Sequence, residues 1–267
     1  MGFQYAGSLT GSAPIVRRLQ TGVTMYVGNL VQTGMFTVTH GGHVELADVA
    51  TEVFENDQPI VGIVTAVADA SRTYVKPVSG TAGYGDRSTY TVTHATIAAN
   101  VGPGLTGGGE VDVTLALPMN TLIKAPIYNT TYGTALTVQT NTAASSGGVT
   151  ITDASNLITD IADGFATAYC RTGANRGHYR VVTTSTSTSV NTVVIPFPYA
   201  IAVGDTFVIA SCKLGFGGMD VCTAADAIDG NNNMDAFYTV YYHELNLEES
   251  GKEYAVFSMA PQWISAA

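Results

Sequence analysis

Between residues 110 and 117 the chain alternates without a break. Val111, Val113, Leu115 and Leu117 fall on one face, and Asp112, Thr114 and Ala116 on the other. A period of two marks a half-buried strand. The same period recurs at 237–244, at 254–259 and at 36–40, where Phe36, Val38 and His40 oppose Thr37 and Thr39. Gly41 and Gly42 then form a hairpin turn into a strand at 43–46. The run PIVGIVTAV, ending at Val67, is apolar on both faces and predicts a buried strand. Further strands are expected at 15–19, 23–27, 74–78 and 89–94. The longest strand signals lie in 177–212, at 179–184, 192–196 and 206–212. Pro196, Pro198 and the turn at Gly204 and Asp205 shape a bend there, at a sheet edge or outside the ladder. One helix is expected, at 153–168, where Leu157, Ile158, Ile161, Phe165 and Ala168 approach helical spacing, although Gly164 weakens it.

Turn and composition signals divide the chain. Residues 1–13 are small and polar and read as an arm that a neighbour must order. Residues 14–67 outline a small β-barrel, and 68–139 a Gly-rich β-region. TNTAASSGG, residues 140–148, reads as a solvated linker. Residues 149–267 form a C-terminal β-sandwich or barrel domain, ending in a tail that holds the only Trp, Trp263. The expected fold class is all-β.

Composition sharpens this picture. Charged residues make up 12% of the chain and hydrophobic ones 46%, with Thr, Gly, Val and Ala taking the places that Lys and Glu usually hold. β-branched residues in such numbers favour strands. The net charge is −10, from 11 Lys and Arg against 21 Asp and Glu. That balance argues against a direct nucleic-acid interface, which requires clustered positive charge. No secretory leader and no membrane-spanning run is read in the sequence. Cys170, Cys212 and Cys222 are too few and scattered for a disulfide scaffold, and buried free thiols are expected. A bridge between Cys212 and Cys222 stays open.

The search for chemistry finds no complete constellation. The G-x-G-x-x-G at Gly102, Gly104 and Gly107 precedes a strand, so no helix N-terminus stands ready for a pyrophosphate. His40 and His43 flank a turn but lack a third metal ligand. DGNNNMD, from Asp229 to Asp235, resembles the start of a calcium loop, yet Met234 and Val240 occupy the places of its Gly and Glu. No nucleophile elbow, HExxH or P-loop occurs. No catalytic, cofactor-binding or metal residue is therefore expected, no cofactor, and no enzymatic activity. What remains are partner contacts. Arg171, Arg176 and Arg180 cluster in a chain with few cations, as a contact patch or as forks that satisfy loop carbonyls. Pro196, Pro198 and Trp263 complete the set of candidate contacts.

Two short strings carry a resemblance. The GNLV turn at 28–31, the Gly-rich hairpin and the closing PIVGIVT strand resemble the small barrels of tailed-phage head decoration proteins. GPGLTGGG, residues 102–109, followed by an alternating strand, is similar to a Gly-loop of phage tail-fibre and other virion proteins. The resemblance implies a structural virion protein, a capsid decoration (cement) protein. It also implies a homotrimer that binds the major capsid protein on the capsid surface after synthesis in the host cytoplasm. The alternative is a tail-fibre or adhesin-like protein that binds a host-surface glycan.

Overall fold

A computed structural model describes residues 2–21, 27–33, 43–47, 60–67, 73–77, 87–91, 109–130, 133–153, 166–186, 190–222, 225–231 and 238–261. Among them the protein is all-β and contains no helix. The first strands are β1 (Gln4–Ser8), β2 (Val16–Thr21), β3 (Leu30–Thr33), β4 (His43–Leu46), β5 (Ile60–Val67), β6 (Thr73–Pro77) and β7 (Arg87–Thr91). The middle of the chain gives β8 (Gly109–Leu115), β9 (Thr121–Tyr128), β10 (Val138–Thr140), β11 (Thr150–Thr152), β12 (Ala166–Cys170) and β13 (Tyr179–Thr186). Then follow β14 (Val190–Val193), β15 (Thr206–Ala210), β16 (Gly215–Met219), β17 (Ile228–Asp229), β18 (Tyr238–Asn246) and β19 (Tyr254–Met259).

The N-terminal barrel closes in the order β2-β4-β3-β5-β8. Its interior is almost entirely valine: Val31, Val44, Val64, Val111 and Val113. Five strands leave a narrow lumen, and β-branched side chains of one size fill it. The closing strand β8 comes from outside the expected 14–67 span. It pairs with both β2 and β5, and Arg18 meets Asp112 directly across the β2–β8 ladder, Nε to Oδ1 at 2.7 Å and Nη2 to Oδ2 at 2.9 Å. Where β5 passes β8 the backbones come very close. A Cβ on Gly62 would stand 2.0 Å from the Thr114 carbonyl oxygen, so this position of the PIVGIVT strand admits only glycine.

The second unit is an antiparallel sheet in the order β1-β9-β19-β18-β16, with the short β17 pairing parallel to β9. The segment expected as an arm that a neighbour must order is a strand of this chain's own sheet: β1 pairs with β9, and Phe3 just before it is 1% exposed and sits edge-on to Phe257 at 6.2 Å. One face of this sheet shares a core with the barrel and with the third unit. Leu30 and Ile63 of the barrel, Val208 and Ala210 of β15, and Ile123, Val240 and Phe257 of the sheet belong to one cluster. The Tyr238 hydroxyl donates to Gln32 Oε1 at 2.6 Å, and the Leu30 amide to the Ala225 carbonyl at 2.8 Å, so polar bonds seam barrel to sheet.

The third unit orders its strands β10-β15-β12-β13-β14-β11. This sheet curls until its edge strands meet. The Thr142 amide bonds the Thr152 carbonyl at 2.7 Å, the Thr140 amide bonds Asp153 Oδ2 at 2.8 Å, and the Thr152 amide bonds Asn141 Oδ1 at 2.9 Å. The interior holds Ile151, Ala168, Val182, Val193, Phe207 and Ile209. β15 serves two cores: Phe207 and Ile209 point into the curled sheet, Val208 and Ala210 toward the flat one.

Several expectations are thereby corrected. TNTAASSGG is no solvated linker, because Asn141 and Ser145 are buried and their side chains bond backbone. Strand pairing ignores the expected boundaries: β8 belongs to the barrel, β9 to the flat sheet, β10 to the curled one. The C-terminal part is not a unit of its own, since β16, β18 and β19 lie in the flat sheet with β1 and β9. Residues 166–168, the described end of the expected helix, are strand β12, and 154–165 lie outside the described residues, as do 34–42 and the G-x-G-x-x-G loop.

Candidate interaction surface

The bend that follows β14 is a ridge of apolar side chains held on a fixed backbone. Its sequence, VIPFPYAIAV from Val194 to Val203, alternates anchors with displayed residues. Phe197 and Ile201 are buried in the curled sheet, Phe197 against Phe207 at 5.5 Å. Burying each is worth about 1.5–3 kcal/mol. Val194, Ile195, Tyr199 and Val203 instead stand 53–65% exposed, and Pro196 and Pro198 are exposed beside them.

Hydrogen bonds fix this display. The Phe197 amide donates to the Gly148 carbonyl at 2.9 Å, and Ser145 and Ile201 exchange backbone bonds at 2.9 and 3.0 Å. Gly148 has φ +64°, and a Cβ there would lie 2.9 Å from the Phe197 oxygen and 3.0 Å from that of Tyr199. Asn175, fully buried, grips the tip: its Nδ2 donates to the Tyr199 carbonyl at 3.0 Å, and its Oδ1 accepts from the Tyr199 amide at 3.0 Å. Two prolines lock their own φ as well. A surface ordered in advance avoids about 0.5–1.5 kcal/mol of ordering cost for each side chain a partner immobilises.

The predicted contact residues separate here. Pro196 and Pro198 lie on the ridge. Arg180 adjoins it as a fork: Nε donates to the Pro196 carbonyl at 2.9 Å, Nη1 to the Tyr179 carbonyl at 2.7 Å, and the guanidinium lies 5.4 Å from the Phe197 ring centre. Arg176 is exposed on the β12–β13 hairpin. Arg171 is largely drawn into the chain and follows the carbonyl-fork alternative, with Nη2 2.5 Å from Glu253 Oε1 and Nε donating to the Leu247 carbonyl at 3.0 Å. It ties the curled sheet to the flat one. Trp263 lies outside the described residues. The sequence missed Val194, Ile195, Tyr199 and Val203, although the alternation of apolar residues around two prolines carried the signal.

On the outer face of the flat sheet, Phe216 is 52% exposed and stacks edge-on against Tyr241 at 4.9 Å. Tyr241 in turn lies 4.9 Å from the His243 ring, which bonds Ser258 at 2.9 Å. Partial burial lowers the His243 pKa.

Cys170, Cys212 and Cys222 are free and buried. Burial pushes their thiols up to about 11, about 12 and about 12 respectively, which makes them poor nucleophiles. Among the described residues no group of three His, Cys, Asp or Glu side chains stands placed to hold a metal ion. Of the calcium-like stretch, residues 229–231 are described, and Asp229 Oδ1 accepts from the Thr130 and Asn231 amides at 3.1 and 2.9 Å. No protein family, curated protein or solved structure matches this chain.

Proposed function

We propose that the chain is a structural binding protein of a tailed-phage virion, decorating the capsid by seating on the major capsid protein and acting as a homo-oligomer. One observation supports this reading above others: the ridge tip at Pro198, Tyr199 and Val203 presents apolar side chains on a backbone pinned by Asn175 and Gly148. Exposed apolar residues on a rigid loop mark a contact surface rather than a reaction centre. The 12% charge content fits a protein whose surface is used for contact. The work done is binding alone, bracing neighbouring capsid subunits. Purified protein should add to capsids that lack it and raise their melting temperature. Tyr199→Asp with Val203→Asp should cut that binding at least about tenfold while leaving the protein's own melting unchanged. Failure of the unaltered protein to bind sinks the reading.

A second reading, a tail-fibre or adhesin-like glycan binder, draws on Phe216, Tyr241 and His243. An exposed aromatic flanked by ring and hydroxyl groups is a surface on which a sugar can stack. Retention on immobilised host glycans, lost in Phe216→Ala, favours it over capsid decoration.

A further inference from the structure

The core shared by the flat and curled sheets opens to solvent at one end, as a groove of about 230 Å³. Tyr169, Tyr179, Leu214, Leu245 and Leu247 line it. Tyr169 and Leu245 pack inward against the core, whereas Tyr179 and Leu214 are 49% and 39% exposed. The volume is below the ~300–1,000 Å³ of small-molecule pockets and suits an apolar side chain brought by a protein surface.

The groove continues into the ridge. Tyr169 and Tyr179 face each other across the β12–β13 ladder. Val181 is two residues on from Tyr179 and so shares its face. The Val194 amide bonds the Val181 carbonyl at 2.9 Å, which places Val194 beside Val181 at the end of that stripe, with the exposed Ile195 next to it on the ridge. A groove and a ridge that flank one hairpin form a single patch able to complement itself about a twofold axis.

Charge decides the occupant. Arg176 and Glu248 are both exposed, and neither has an ion-pair partner among the described residues. Both act on Tyr169 beside the groove. Its hydroxyl is pushed up first by burial and then by Glu248, while Arg176 and Arg171 oppose the shift. Two opposite charges that flank one groove without bridging each other are arranged for a copy of the same surface. A uniformly acidic or basic partner would meet one charge well and the other badly.

We propose that a second copy of this chain occupies the groove. Ile195 of each protomer enters the groove of the other, and Arg176 of each meets Glu248 of the other, in a twofold dimer rather than the trimer that the resemblance implies. The inference goes beyond the proposed function and uses the groove end of the ridge, leaving its tip at Tyr199 and Val203 free.

Sedimentation velocity on the full chain tests it, over about 1–100 μM, where a side-chain-sized hot spot is expected to register. The expected mass is twice the 27.8 kDa of one chain. Ile195→Asp and Leu214→Glu should each raise the dimer Kd at least about tenfold with unchanged melting, since both positions are exposed. Arg176→Glu alone should weaken the dimer, and adding Glu248→Arg should restore it. That pair changes no packing, so it stands even if a groove variant folds poorly. A monomeric protein across the range, a trimer, or a dimer indifferent to the charge swap overturns the proposal. A monomer that still binds capsids overturns the dimer and leaves capsid decoration standing. A dimer that ignores capsids does the reverse.

Discussion

The two rounded units of this chain solve closure in different ways. The N-terminal barrel closes through main-chain ladders, since β8 pairs with β2 on one side and β5 on the other. The curled sheet leaves β10 and β11 short of a common ladder; one main-chain bond, from the Thr142 amide to the Thr152 carbonyl, crosses the seam, and the side chains of Asn141, Asp153 and Thr142 bridge the rest. The interiors follow. Ladder closure leaves a narrow space that valines fill. Closure by polar side chains admits larger rings, Phe197 and Phe207, and a buried amide pair, with Asn191 Nδ2 donating to Gln139 Oε1 at 3.0 Å. Backbone closure fixes a unit by register alone. Side-chain closure rests on a few residues whose loss leaves buried groups unmet.

The largest expected effect comes from breaking the polar seam. Asn141 is fully buried. Its Nδ2 donates to the Ala143 and Ala202 carbonyls at 2.7 and 2.8 Å, and its Oδ1 accepts from the Thr152 amide. Asn141→Ala should cost about 3–5 kcal/mol, because it removes the partner of three partly buried backbone groups at once. Hydrogen exchange should quicken in β10 and β11 before it changes in β2 and β8. Equal quickening in both units would show that the seam is not what closes the curled sheet. Next comes Gly62→Ala in the barrel, where the added carbon meets the Thr114 carbonyl. Chemical denaturation should show a loss of about 3 kcal/mol, with exchange quickening first in β5 and β8. The smallest effect tests whether the amide pair stabilises. Gln139 Nε2 and Asn191 Oδ1 are buried without a partner among the described residues. Gln139→Leu with Asn191→Leu should therefore stay within about 1 kcal/mol of the parent or exceed it, while either change alone should cost about 1–3 kcal/mol. A large loss in the double variant would mean that the pair supports the curled sheet outright.

Strands were legible in the sequence where alternation was local. The stretches at 110–117, 254–259 and 206–212, and the apolar run ending at Val67, all correspond to strands. Partnership was not legible, because pairing is decided by cores that many segments share. Nothing near residues 4–8 announces a partner at 121–124, or that the barrel waits for 109–115 to close. Thr, Ser and Gly in 140–148 look like a linker because hydroxyls and amides suit water as well as buried carbonyls, and only the fold tells which they meet. The ridge was half legible: two prolines marked the bend, but burial alone separates the anchors Phe197 and Ile201 from the displayed Ile195 and Tyr199. The place of Arg171 was hidden for a similar reason, since its carboxylate partner lies 82 residues away.

The place of β19 bears on how the molecule is made. β19 lies between β9 and β18, pairing with both. During synthesis β9 leaves the ribosome long before β18, and β18 before β19. Until β19 arrives, the two halves of the flat sheet have no ladder between them, and their apolar faces stand open. Completion is then a single late event, the insertion of six residues into a waiting slot. A nascent chain stalled or cleaved in the exposed turn at 248–252 would expose strand edges and carry a heightened risk of aggregation.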